Sequence, residues 1–486
     1  MVGMRPGVTE HHASVWVVAN RLPVAWDERS GWQRSPGGLV TALDAVVRSQ
    51  RIGWIGAAPA LGTDDHRPPR WDHGPVVPVR LDPKVANGAV NAICNGALWP
   101  ALHGLQGWVE WRNSHWSDYL EHNRRFAETI IELTHPGDIV WVHDYHLLLV
   151  PRFLAQRGAG RSVILSIHTP IDPAVGGLPE AAALITGIAH ADLVGVQTEA
   201  DADALRRLLD RFSTTARRPE IHVSPVSVDP DALRRRAAGA VCTTIGRRIT
   251  SGHEHRRLIV GIDRLDYTKG VPERLEALDL AFRRGWIDPE RTDYIGIAQP
   301  TRTEVSAYRR LRLHTERLVH DLRVRWLRAD GTNPIDVRFE SLPPDYIVAL
   351  LSVADVCAVT PLRDGMNLVA KEYAAVCKDD GILVLSSAAG VFDEFGPWVV
   401  DVDGGDVTSI ATGLRRAFAV DELTRRTWTE ARRTQLDRWT SATWSADLLQ
   451  RAAAPSRRTP PDRTPIDHTH RAPSVERLGV NDLTND

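Results

Sequence analysis

The chain is poor in cysteine, in net charge and in long apolar runs. Its four cysteines, Cys94, Cys242, Cys357 and Cys377, lie far apart and form no CxxC pair. That excludes a disulfide framework and fits a reducing cytoplasm. Cys357 sits inside an apolar run and reads as a small core residue. The formal net charge is −2, from 59 Lys and Arg against 61 Asp and Glu, so no global charge steers the chain to nucleic acid or to anionic lipid. The longest apolar runs are only strand-length, which argues against a membrane span, and the opening "MVGMRPGVTE" carries no signal-peptide pattern. Aromatic residues make up 6% of the chain, yet 16 are Trp against 7 Tyr and 8 Phe.

What is present is ordinary globular material: 43% hydrophobic and 25% charged over 486 residues, too long for one usual domain. Short β-branched runs recur, each closed by turn or polar residues: "VWVVANR" (15–21), "IVWVHDY" (139–145), "SVILSIHTP" (162–170), "ADLVGVQT" (191–198), "LIVGIDRLD" (258–266), "DYIGIAQP" (293–300), "ADVCAVTP" (354–361) and "GILVLSS" (381–387). Between them lie amphipathic stretches such as "EADADALRRLLDRF" (199–212). Continuous apolar strands alternating with helices predict parallel sheets covered on both faces, and two such sheets fit the length. The charged, strand-free stretch at 230–256 predicts a boundary, with an N-terminal domain over 1–245 and a C-terminal domain over 246–452. The Pro-, Arg-, Thr- and Asp-rich residues 453–486 read as a disordered tail. Nothing repeats with a solenoid period. The Arg-rich helices leave open a homo-oligomer interface or simply a solvated face.

Open α/β sheets place ligands at the carboxyl ends of strands, beside helix N-termini. In "GIDRLDYTKG", Arg264 and Lys269 sit at such an exit and suit a diphosphate, one as a planar fork of donors and one as a point charge; alternatively they pair with Asp263 and Asp266. In "PLRDGMNLVAKEY" (361–373), the amides of Gly365, Met366, Asn367, Leu368 and Val369 would face a ligand at the helix start. Asp364 beside them would repel a phosphate, and makes sense if it accepts from sugar hydroxyls; otherwise it is the N-cap of that helix. Glu372, about two turns further on, could accept from ribose hydroxyls. "HDYHLL" (143–148) suggests a metal, but His143 and His146 flank a strand end rather than share a helix face, and no further cluster has metal-ligand spacing. Asp144 is the better candidate there, as an acceptor-site carboxylate. His168, at a strand exit before a Pro-rich loop, is either a core histidine or a partner for a sugar hydroxyl. Near the N-terminus, Gly37 and Gly38 allow close backbone approach before a helix, and Arg21 is an anion candidate.

Taken together and in this order, "VVANRLPV", "SPGGLVTAL", "NGALWP", "VWVHDYHLLLVP", "ADLVGVQT", "GIDRLDYTKG" and "VTPLRDGMNLVAKEYAA" resemble the trehalose-6-phosphate synthase family of retaining glycosyltransferases. The resemblance runs from about residue 15 to residue 390. It implies an α/β fold of two Rossmann-like domains facing across a cleft (the GT-B architecture), a nucleotide-sugar donor, UDP- or GDP-glucose, held mainly by the C-terminal domain, no metal and no cofactor. Arg264 and Lys269 would hold the donor diphosphate. Asp364 and the amides of 365–368 would hold the transferred sugar and its phosphate, Glu372 the ribose, and His168 the donor sugar. Gly38 would lie against the donor phosphates. On the acceptor side, glucose 6-phosphate would meet Arg21, Trp99, Asp144 and Arg302. The implied reaction is front-face substitution with retention, in which the donor phosphate accepts the proton of the acceptor and the cations stabilise the leaving diphosphate.

The sequence departs from the family on the acceptor side. The family's phosphate-binding Tyr, nine residues before Trp99, is Val90 here, and the usual "YYNGFSN" reads "AVNAICN". After His168 the family's "HIPFP" reads "HTPIDP", and "SSAAGVFDEF" replaces "SEFAGAAEEL". Losing one phenolic donor is worth about 1–3 kcal/mol, tenfold or more in affinity. Two acceptors therefore stay open: glucose 6-phosphate giving trehalose 6-phosphate, or a small thiol, amine or cyclitol in a specialised-metabolite pathway.

Overall fold

Two twisted parallel sheets organise the molecule, a computed structural model that describes residues 14–27, 31–35, 39–43, 52–57, 74–158, 160–251 and 255–453. The first sheet runs β5-β4-β1-β6-β7-β8-β9. Its strands are β1 (Val15–Arg21), β4 (Ile52–Ala57), β5 (Val76–Val79), β6 (Ile139–His143), β7 (Ser162–Ser166), β8 (Leu193–Val196) and β9 (Glu220–Val223). The second runs β12-β11-β10-β13-β14-β15, with β10 (Arg257–Arg264), β11 (Thr292–Gln299), β12 (Ile335–Arg338), β13 (Val356–Val359), β14 (Ile382–Ser386) and β15 (Val400–Val402). A small antiparallel hairpin, β2 (Val24–Asp27) and β3 (Gly31–Arg34), follows β1. The central strands are buried along nearly their whole length, as strands covered by helices on both faces must be. This is the expected α/β, two-domain GT-B architecture.

Each sheet reverses its strand order beside its first strand. β1 pairs with β4 on one side and β6 on the other, and β10 with β11 and β13. At such a switch point neighbouring loops diverge and leave a crevice beyond the carboxyl ends of the strands. Arg21 closes β1 and Asp144 follows β6; Arg264 closes β10 and Asp364 follows β13. The two crevices face each other across the cleft.

The helix expected at 199–212 is Glu199–Phe212, with Thr198 accepting from the amide of Asp201 at 3.1 Å as its N-cap, a contact typically worth about 1 kcal/mol. The boundary at residue 245 falls inside the helix Ala240–Ser251. That helix packs on Pro344–Val353 of the second domain, and Pro230–Ala238 packs on Leu368–Val376. The last helix, Ser441–Ala453, returns to the first sheet: Trp444 Nε1 donates to Ser224 O at 3.1 Å and Ser162 Oγ to Ala452 O at 2.9 Å. Its buried residues Trp444, Leu448 and Leu449 need an apolar floor that the first sheet supplies. Lys371, a fully buried cation, ties the crossing to the second domain, donating to Val226 O at 3.0 Å and to Glu394 at 2.6 Å. The tail after residue 453 and Gly37 and Gly38 of "SPGG" lie outside the described residues. No helix among the described residues is long and apolar enough to cross a membrane.

Candidate active site

The residues expected on the acceptor side converge around Trp99. Its indole is buried at the start of the helix Trp99–Leu102, and Nε1 donates to Asp266 Oδ1 at 3.2 Å. The guanidinium of Arg302 lies 4.0 Å from the Trp99 ring centroid and that of Arg264 5.8 Å. Arg302 donates from Nη1 to Asp266 Oδ2 at 2.9 Å and to the Tyr308 hydroxyl, and from Nη2 to the Tyr145 hydroxyl at 3.0 Å. It is thus aimed by one carboxylate and two phenols, and it crosses from the second domain to the first. Burial pushes Asp266 up, but Arg302 and Arg264 outweigh it and hold the carboxyl below its usual range. Arg21 faces the same space. Desolvation, then the neighbouring charges of Arg264 and Arg302, lower its pKa. Three guanidinium groups against one buried carboxylate leave surplus positive charge, and such a cluster suits an oxyanion.

The pairing of Arg264 and Lys269 with Asp263 and Asp266 does not occur. Asp263 is taken by Arg274 at 2.7 Å and Asp266 by Arg302. Among the described residues the Arg264 guanidinium makes no hydrogen bond. Lys269, 8% exposed on the turn Tyr267–Lys269, instead bonds Asp364 Oδ2 at 2.5 Å. Asn367 donates to the same oxygen at 3.0 Å. Burial works against the Asp364 charge, but Lys269 outweighs it and lowers the pKa. Asp364 is therefore not the helix cap. That role falls to Asn367, whose side chain accepts from the Ala370 amide at 3.2 Å. Glu372 is half-buried one turn into this helix, with no hydrogen-bond partner among the described residues, and burial pushes its carboxyl up to about 7. Among the described residues no side-chain hydrogen bond or ion pair joins it to the other candidates.

The loop carrying Gly365 touches the first domain directly. A Cβ on Gly365 would run into the carbonyl oxygen of His168, so only glycine permits this approach. Two residues earlier, Arg363 pairs with Asp172 of the "HTPIDP" loop. His168 bonds through its amide to Asp144 Oδ1 at 3.3 Å and through its ring to His143 at 3.0 Å. Burial, partly offset by His168, raises the Asp144 pKa.

Backbone strain marks the same residues. Among the described residues four non-glycines have positive φ, and three are Asp144 (71°), Arg302 (49°) and Asn367 (74°). Such conformations cost about 1–3 kcal/mol each and persist where surrounding contacts impose them. Val90 and Trp99 are nine residues apart, a spacing that an α-helix would put on opposite faces. Residues Gly88–Leu98 form a π-helix instead. Its i→i+5 bonds widen each turn beyond 3.6 residues, so about nine residues make two turns and both side chains share a face.

Sequence reasoning missed Asp266, Tyr145 and Tyr308, which aim Arg302, and the ring partner of His168. It also missed His103, whose Nδ1 donates to Trp99 O at 2.7 Å and whose ring lies 4.1 Å from that indole. Burial lowers its pKa to about 4. "RLDYTKG" and "HDYH" contained most of these residues, but no spacing rule joins them across two domains.

The family model described as Glycosyltransferase family 20 matches residues 13–454. A trehalose-6-phosphate synthase of Mycobacterium sp. (strain KMS) is 35% identical over 419 residues, covering 80% of this chain and 85% of that one. An alpha,alpha-trehalose-phosphate synthase [UDP-forming] A of Dictyostelium discoideum is 33% identical over 397 residues, 77% of this chain; the match spans about half, 54%, of that longer relative. Among solved structures, an alpha,alpha-trehalose-phosphate synthase (UDP-forming) from Burkholderia xenovorans in complex with glucose-6-phosphate superposes with a TM-score of 0.83 at 25% identity, covering 90% of this chain and 100% of that one.

Proposed function

The chain belongs to glycosyltransferase family 20, and from that premise we propose that it moves glucose from UDP-glucose to glucose 6-phosphate with retention, forming trehalose 6-phosphate and UDP. The observation that carries this reading is the convergence of Arg21, Arg264 and Arg302 around Trp99, a built site for a phosphate monoester next to the donor loop. The "UDP-forming" relatives and the neighbour in complex with glucose-6-phosphate support the same donor and acceptor.

In this reading Arg264 and Lys269 grip the diphosphate, and Lys269 shifts from Asp364 toward it. Asp364 is then freed to accept from hydroxyls of the transferred sugar, while the amides after Gly365 face its phosphate. Glu372 takes the ribose hydroxyls. Arg21, Arg302 and Trp99 hold the 6-phosphate of the acceptor, and Asp144 orients its sugar. The bond from the anomeric carbon to the diphosphate oxygen breaks as the acceptor hydroxyl oxygen bonds that carbon on the same face. The hydroxyl proton passes to the departing phosphate oxygen. Cations already in place stabilise the leaving diphosphate without reorganisation.

The test is nucleoside diphosphate release from UDP-glucose and GDP-glucose, each with and without glucose 6-phosphate. Release from UDP-glucose that depends on glucose 6-phosphate and yields a disaccharide phosphate is the expected result. Donor binding with no response to glucose 6-phosphate overturns it and redirects the search to unphosphorylated thiols, amines and cyclitols.

A further inference from the structure

We propose that His143 is a positioning residue that fixes the tautomer of His168, making His168 Nδ1 a hydrogen-bond donor to the transferred sugar. The inference rests on the reading of His168 as a donor-sugar residue.

β6 ends at His143, and β7, its neighbour in the sheet, ends two residues before His168. Their rings lie 6° from parallel with centres 5.3 Å apart, and His143 Nδ1 is 3.0 Å from His168 Nε2. Near-parallel rings at that separation, bonded edge to edge, share one proton along a line in both ring planes. Burial lowers the pKa of both imidazoles. Two neutral rings carry one proton each, which leaves two arrangements.

If His168 Nε2 carries the shared proton, His143 must carry its own on Nε2. That atom is buried and has no hydrogen-bond partner, so an N–H donor would be orphaned, the rarer and costlier defect. Among the described residues nothing nearby relieves it. The Trp141 ring is tilted only 38° from His143 and so presents no face to the N–H. The indole N–H groups of Trp141 and Trp444 are donors, bonded to Ser166 Oγ at 2.8 Å and Ser224 O at 3.1 Å, and cannot accept from it. If His143 Nδ1 carries the shared proton, its Nε2 is a bare lone pair against aromatic carbon, and the proton of His168 sits on Nδ1. An acceptor-only nitrogen at this point would have to take a hydrogen bond from the sugar; a fixed N–H gives one to a hydroxyl oxygen instead.

Two measurements test this. In the full chain with 15N-labelled histidine, long-range proton–nitrogen spectra at pH 7, assigned with His168→Gln, report which nitrogen of His168 is protonated. Nδ1 protonated is expected; Nε2 protonated overturns the proposal, whatever the activity. In kinetics, His143→Leu should lower kcat about 10- to 100-fold, as for one lost hydrogen bond, with UDP affinity within twofold of the parent. His143→Asn, which keeps a donor where Nδ1 was, should restore most of the rate. Equal losses in His143→Leu and His143→Asn, or no loss in His143→Leu, overturn the positioning role. Unchanged turnover in His168→Ala would instead remove His168 from the donor site, a failure of the underlying reading that the spectra keep separate.

Discussion

The ammonium of Lys269 lies 2.5 Å from Oδ2 of Asp364, joining the loop after β10 to the loop after β13. Both side chains are nearly buried, so the pair bears on stability as well as on the proposed donor site. Lys269→Ala should abolish measurable transfer. It should also cost about 3–5 kcal/mol of stability by leaving a buried carboxylate without its cation. The pKa of Asp364 is lowered in the folded chain, so its contribution is present above the unfolded carboxylate value of about 3.9 and fades as pH falls through the lower folded value. Urea denaturation of parent and variant from pH 3 to 7 checks both signs: the gap should narrow toward acid. Near-normal turnover in Lys269→Ala removes the diphosphate role.

Glu372 carries the opposite sign. Its folded pKa of about 7 means the stability tied to its protonated form is complete below the unfolded value and is lost as pH rises through 7. Glu372→Gln should therefore raise the melting temperature more at pH 8 than at pH 5. If the carboxylate accepts from ribose hydroxyls, UDP should bind the parent more tightly as pH rises from 6 to 8, and the variant should flatten that trend. Calorimetric titration at three pH values decides it; parallel curves remove Glu372 from the ribose site.

Val90→Tyr should lower KM for glucose 6-phosphate about tenfold by returning a phenolic donor to the face shared with Trp99, a gain within the range of one hydrogen bond. An unchanged KM in a variant that melts like the parent takes Val90 out of the acceptor pocket.

The Arg363–Asp172 pair bridges the domains through a loop that departs from the family pattern. Its side chains are 30% and 23% exposed, so Asp172→Asn should cost no more than about 1 kcal/mol in stability. The same change should raise KM for the donor, because Arg363 precedes Asp364 directly. Denaturation and donor-dependent kinetics together separate the two effects. A KM equal to the parent value shows that the pair does not shape the donor loop.

Strands at the centre of each sheet were legible because burial on both faces demands unbroken apolar runs: "VWVVANR" is β1 over its full length. Edge strands such as β5, β9, β12 and β15 have three or four residues each, too few to carry a periodic signal. The charged stretch at 230–256 read as a boundary, but its segments 230–238 and 240–251 are helices whose apolar stripes, with Leu233, Cys242 and Ile249, need the second domain's helices as partners.

The site divides the same way. The amino-acid order by itself determined which residue types stand at the strand exits: Arg21, His168, Arg264, Lys269, Arg302, Asp364 and the glycine at 365. Local chain geometry puts such residues where the crevice forms. Only the tertiary structure decided their partners: Asp266 on Arg302 rather than on Arg264, Asp364 on Lys269 rather than on the helix amides, His143 on His168. Those choices join residues 25 to 95 positions apart. The two ion pairs are settled by competition among buried charges for few counter-groups, and the histidine pair by two buried neutral rings with few other partners; these energies exist only once the chain has folded around the cleft.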